Sequence, residues 1–215
     1  MRHVRLLAPA SLIAAALLAP AHGFAQEATP TPRESLPACT AEPRDIEELV
    51  GFWFSPSGEP AATPTYPEPI TDAEALPAGE RLDDATVQAI TETTLGWISC
   101  MEGAGQYARG FGFMTDDLLA QFGPDTSNPA QDSPEEVRAA LEGQLAGTPI
   151  AGQMASGAMP PPVGPRKPRL LEDGRAAAIW SFGGDRVYLV YEEVDGRWLI
   201  DAAEDILDVA GTPTP

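Results

Sequence analysis

Two cysteines, one lysine and two histidines are the strongest nucleophiles and metal ligands this chain offers, and their positions exclude more chemistry than they suggest. His3 and His22 both lie in a stretch that reads as a secretory signal. Arg2 and Arg5 form its basic start, Leu6 to Ala19 its apolar run, and Gly23-Phe24-Ala25 a cleavage site before Gln26. Cleavage near Ala25 leaves a chain without histidine, and so without a Ser-His or Cys-His dyad or an imidazole ligand. No Gly-x-Ser-x-Gly elbow and no glycine-rich phosphate loop is present. Lys167, between Arg166 and Pro168, reads as an ordinary exposed lysine in a loop. Asp125, Ser127, Asn128 and Asp132 lack the glycine and the spacing of a calcium loop, and Met154 and Met159 are too sparse for copper. Neither a metal nor a cofactor is expected.

Cys39 and Cys100 are an even pair in a chain read as exported, which points to one disulfide. It would close a loop of about 60 residues, worth roughly 4 kcal/mol in the chain-entropy picture. Two buried free thiols are the alternative. A lipid-modified Cys39 in Leu36-Pro37-Ala38-Cys39 is a further one, set back by the distance of Cys39 from the apolar run.

Charge narrows the partners. The full chain has 13 Lys and Arg against 32 Asp and Glu, a net charge of −19. Loss of Arg2 and Arg5 with the signal leaves 11 against 32, or −21. Such a surface repels nucleic acid and anionic lipid. The N-terminal apolar run is too short to span a bilayer and nothing later resembles a span. The expected protein is secreted, in the extracellular space or the cell envelope.

The elements that would position any site follow from caps and periodicity. Residues 26–82 read as a Pro-rich arm with one short helix at about 45–54. Asp45 caps that helix, Glu48 completes a capping box, and Ile46, Leu49, Val50 and Trp53 share a face. A helix this short needs a surface to dock on, and a Cys39–Cys100 bond would hold it there. Phe52, Trp53 and Phe54 either complete the core or form a partner-binding flap. Ser55 to Leu82 reads as uncommitted chain. The globular domain covers 83–209 and a disordered tail 210–215. Asp83 and Asp84 start a long helix with Val87, Ile90, Thr94, Ile98 and Met101 on one stripe, stopped by Gly103 and Gly105. A linking helix at about Gln106 to Phe111 follows. Thr115 then caps a helix ended by Gly123-Pro124, and Ser133 caps another from Pro134 to Ala146. Thr148 to Pro168 reads as a long loop or irregular edge strand.

Leu170 to Ile206 contains Asp173-Gly174, Gly183-Gly184 and Asp195-Gly196 between β-rich runs, the signals of tight hairpins. Four antiparallel strands in a meander follow, and helices before a meander mean an α+β fold with the helices on one sheet face. Treating each signal as a two-residue turn puts Leu171, Ala176, Ala178, Trp180, Phe182, Val187, Leu189, Tyr191, Trp198, Ile200 and Ala202 on the face that receives the helices. Leu170, Ala177, Ile179, Tyr188, Val190, Glu192, Val194, Leu199, Asp201 and Ala203 fall on the other. Trp97, Trp180, Tyr191 and Trp198 would then line an apolar pocket for a small apolar ligand. On the opposite face Ile179, Tyr188, Val190 and Leu199 would be exposed unless they join two copies as a homodimer.

The long helix ending in glycine-rich chain, then YARGFGFMTDDLLAQF, then the meander with DGRWLIDAAEDI, resembles the nuclear transport factor 2-like superfamily over roughly residues 81–208. That resemblance implies a cone in which a curved sheet wraps a long helix around a pocket. The superfamily holds ketosteroid isomerases, polyketide cyclases and non-catalytic binding domains, so fold does not settle function. Catalytic members place a carboxylate inside the cone, often with Tyr or His. The inward face here offers Tyr191 but no central acid. Glu204 at the rim or Asp116 in the FMTDD turn would have to act as base, with Tyr107 or Tyr191 as acid. The expected function is therefore an exported, non-catalytic binding module. The alternative is a small lyase or isomerase acting on an apolar polyketide- or steroid-like molecule.

Overall fold

The computed structural model describes residues 36–61, 69–71, 79–122, 133–147 and 161–207. The signal over 1–25, Asp125, Ser127, Asn128, Asp132, Met154, Met159 and the tail 210–215 lie outside the described residues. Among the described residues the fold is α+β: helices α1 (Ile46–Trp53), α2 (Asp84–Ile98), α3 (Tyr107–Gly110), α4 (Asp116–Phe122) and α5 (Pro134–Leu145), and strands β1 (Glu80–Arg81), β2 (Val163–Leu170), β3 (Ala176–Phe182), β4 (Asp185–Val194) and β5 (Arg197–Ile206). The strands form one antiparallel sheet in the order β1-β2-β3-β4-β5.

The helices start where side-chain caps dictate. Asp45 accepts from the Glu48 amide at 2.9 Å, Asp83 from the Thr86 amide at 2.8 Å and Ser133 from the Glu136 amide at 3.3 Å. Eight residues cannot hold α1 helical in isolation. It persists because Leu49 and Trp53 are fully buried, each such side chain contributing about 1.5–3 kcal/mol. The Trp53 indole N–H donates to the Leu119 carbonyl of α4 at 2.8 Å, and Arg138 of α5 clasps Glu47 through two bonds of 2.6 and 2.9 Å. Phe54 is buried and Phe52 half-buried, so this aromatic run belongs to the core.

The uncommitted reading of Ser55 to Leu82 is corrected in places. Ser55 closes a turn on Glu59, Phe54 bridges Pro60, and Ile70 pairs with Ile206. Glu80 and Arg81 extend the sheet as β1, and Leu82 enters the core. The sheet therefore has a fifth strand beyond the expected meander. Of the two readings of Thr148 to Pro168, the irregular edge strand holds for the last part, since β2 begins at Val163 and its pairing with β3 is irregular. Pro165 and Pro168 are tolerated because β1 pairs only with Arg169 and Leu170, leaving the rest of β2 without a ladder to β1.

Two register shifts overturn part of the face assignment. The Asp195-Gly196 and Gly183-Gly184 hairpins pair as expected, Val194 with Arg197 and Phe182 with Asp185. At Asp173-Gly174, however, the Gly174 amide donates to the Leu171 carbonyl and Leu171 donates to Arg175. The loop is one residue longer, Leu170 pairs with Ala176, and the faces of Leu170 and Leu171 exchange. In β5 Tyr191 pairs with Ile200 while Val190 pairs with Ala202, so Asp201 is a bulge residue. Everything after it changes face. Ala203 packs in the main core and Ala202 on the far side. Glu204 lies opposite Tyr188 on the far face, which corrects its placement at an inner rim.

The far face is not bare. Ala177, Ile179, Tyr188, Val190 and Ile206 are at most 7% exposed within the single chain, with Ile70, Leu171 and Ala202 packed against them. The expectation that Ile179, Tyr188 and Val190 stand exposed for a homodimer is corrected accordingly. The sheet carries a core on each side.

Candidate functional site

The chain before α1 forms one side of a cleft. Cys39 is bonded to Cys100, with 4.8 Å between their Cα atoms, and Cys100 sits in the single wide turn Ser99–Gly103 that ends α2. The arm is then fastened along its length. The Arg109 guanidinium donates to the Ala41 carbonyl, and the Arg44 amide donates to the Ala108 carbonyl at 2.8 Å. The Arg44 side chain donates to the Met114 carbonyl at 3.3 Å, pairs with Asp116 and lies 5.5 Å over the Phe52 ring.

Between this strap and the domain lies a cleft of about 570 Å³, lined by Ala38 to Arg44, Gly96, Cys100, Gly112 to Met114, Arg197 and Leu199. Its far wall depends on the bulge-bearing strand. Met114 bridges Ile200 in parallel fashion and the Thr115 amide donates to the Ile200 carbonyl at 2.9 Å. Asp201, with its side chain 12% exposed, accepts from the Thr115 hydroxyl at 2.9 Å and from Arg175 at 2.8 Å. Arg197 reaches the Gly112 carbonyl at 3.2 Å. Gly96 is required by close approach, because a Cβ there would lie 2.5 Å from the Phe113 ring.

The acidic candidates are dispersed, whereas Tyr107, Tyr191, Trp97, Trp180 and Trp198 all belong to the main core. Asp116 is 61% exposed and committed to Arg44. Tyr107 is half-buried at the start of α3, its ring 6.1 Å from Phe111 and its amide bonded to the Gln144 side chain. Tyr191 is fully buried. Its hydroxyl shares a 2.7 Å hydrogen bond with Thr94, and burial pushes its phenol well above the ordinary value. The Trp180 indole N–H approaches the same hydroxyl without reaching hydrogen-bond geometry. Trp180 is 1% exposed and packs with Tyr191 in the main core. Trp198 is half-buried and its carbonyl accepts from Thr93 at 2.7 Å. Trp97 is half-buried, edge-on to Phe182 at 6.0 Å, with its indole N–H unpartnered. None of Trp97, Tyr107, Trp180, Tyr191 and Trp198 borders the cleft under the arm. Glu204 faces Tyr188, whose phenol is raised by burial first and by the Glu204 charge second.

Among the described residues no group of three or more His, Cys, Asp and Glu could hold a metal, and no helix is long and apolar enough to cross a membrane. Cys39 and Cys100 were read from sequence as a disulfide and Leu199 as an outer-face residue, but no cleft residue was assigned to a ligand site. Gly96 inside a helical stripe and Gly112 between two phenylalanines were the available signs of close packing. No family model, no curated protein and no solved structure matches this chain.

Proposed function

We propose that this chain is an exported, non-catalytic binding module with a nuclear transport factor 2-like fold. Its ligand site, on this reading, is the cleft under the N-terminal arm. The observation that carries it is the cleft itself: about 570 Å³ walled by Phe113, Met114, Leu199 and a disulfide, with Arg197 at its border. That volume is in the range of small-molecule sites, whose walls are mostly apolar with a few placed polar groups. The succession of a long helix, three shorter helices and an antiparallel meander supports the fold reading, and the Cys39–Cys100 bond suits an oxidising compartment. Against catalysis stands the dispersal of the carboxylates: Asp116 is bound by Arg44 and Glu204 lies on the far face. Neither reaches Tyr191, which is sealed in the core. The class of ligand is a small, mainly apolar molecule.

Native mass spectrometry of the protein purified from its own host tests this. A small-molecule adduct that is lost on denaturation and absent from L199E is expected. A bare protein, or an adduct that L199E retains, overturns the assignment of the cleft.

A further inference from the structure

The edge formed by β1 and β2 gathers arginines in a chain that has 32 acids and only 13 Lys and Arg. Arg81 lies directly across the ladder from Arg169. In an antiparallel pair this sets the two Cβ atoms about 5 Å apart, where like charges repel. Arg166 joins them through a bulge. It pairs with Ile179 while Arg169 pairs with Ala177, so three steps along β2 match two along β3. The extra residue is absorbed at Lys167, which holds a φ of 49°. In a regular strand, positions three apart point to opposite faces. The bulge puts Arg166 and Arg169 on one face, the far side that Ala177 and Ile179 share.

Among the described residues these arginines have no carboxylate partner: the Arg81 and Arg166 side chains make no hydrogen bond or ion pair there, and the Arg169 side chain donates only to the adjacent Pro168 carbonyl at 3.0 Å. Arg81 and Arg166 are exposed and Arg169 is half-buried. Two opposed guanidiniums left unneutralised amid so many acids are unfavourable unless an anion lies between them.

We propose that Arg81, Arg166 and Arg169 form a site for a tetrahedral oxyanion, the phosphate or sulfate group of an ester. Two guanidinium forks on side chains whose Cβ atoms stand about 5 Å apart can each reach oxygens of one such group, and Arg166 flanks them on the same face. Side chains do the holding, because Pro165 and Pro168 have no N–H to offer. The negative charge of the rest of the chain disfavours a long polyanion beyond a Debye length of about 8–10 Å and leaves a compact anion as the fitting ligand.

The test is an NMR titration of the arginine Nε–H resonances of the full chain. Inorganic phosphate and inorganic sulfate are added in separate arms, each compared with chloride at matched ionic strength. Saturable shifts at Arg81, Arg166 and Arg169 are expected, with Arg138, already held by Glu47, unmoved. R81Q/R169Q is expected to weaken that binding at least tenfold. The tighter of the two anions names the ester. A linear response, an equal response to chloride, or saturable binding unchanged in R81Q/R169Q overturns the site.

Discussion

Replacing Cys39 and Cys100 together by alanine should lower the stability of the protein by about 4 kcal/mol while leaving its native arrangement in place. The two residues are 61 positions apart. For a loop of that size the chain-entropy relation gives a loss of roughly 14 cal/mol/K from the denatured ensemble, or about 4 kcal/mol at 25 °C. The native state should survive because the arm has independent anchors. Leu49 and Trp53 are fully buried, and the Arg44 amide is bonded to Ala108. With typical domain stabilities of about 5–15 kcal/mol, the variant should be folded but marginal. Equilibrium urea denaturation followed by tryptophan fluorescence reads this directly. At a slope of about 2 kcal/mol per molar, the midpoint should fall by about 2 M, and the slope itself should rise as the uncrosslinked denatured chain expands. Reduced wild type should coincide with the variant. A variant within about 1 kcal/mol of the oxidised protein would refute the argument that this bond acts by restricting the denatured chain.

Thr94→Val leaves the buried Tyr191 hydroxyl without its 2.7 Å partner and should cost about 1–3 kcal/mol, more than Tyr191→Phe, by the same denaturation assay. Stability should also fall at both ends of the pH scale. Arg138 beside Glu47, the Thr86 amide and hydroxyl beside Asp83, and Arg175 beside Asp173 hold these carboxyls below their ordinary values of 4.5, 3.8 and 3.8. Their contribution is complete above those values and is lost as pH falls through the depressed folded ones. Burial raises the Tyr191 phenol above its ordinary 10.0, so its contribution is complete below pH 10.0 and is lost as pH rises beyond it. Thermal melts from pH 2 to 11 check both; a flat profile would contradict them.

Local signals decided most of the fold. Asp45, Asp83 and Ser133 each begin a helix because a short acceptor side chain there satisfies an amide that the helix leaves free. Asp195-Gly196 sets its hairpin through two positive φ angles, 52° and 76°. Asp173-Gly174 carries the same dipeptide but closes a loop one residue longer, since the dipeptide permits more than one turn and the neighbouring pairing chooses. The Asp201 bulge has no sequence mark, because its cause is distant: Thr115 and Arg175 hold the carboxylate from other elements. For that reason Glu204 could not be placed from parity. The cleft was hidden for a similar reason. It is made where the arm crosses the end of α2 and the edge of β5, a meeting that periodicity within any one segment does not encode.

The two-sided burial of β3 bears on how this protein can vary. Ala176, Ala177, Ala178, Ile179 and Trp180 are 0%, 1%, 0%, 5% and 1% exposed in succession. A saturation survey of Ala176 to Trp180 should therefore find no position of either parity that accepts a charge. The three alanines should reject enlargement as firmly as Trp180 rejects truncation, since layers on both sides are already in contact. At the end of β4, by contrast, Glu192 and Glu193 are exposed and substitution should pass freely. Drift in this sequence is thus channelled away from the centre of the sheet, leaving β3 as the part by which distant relatives could be recognised.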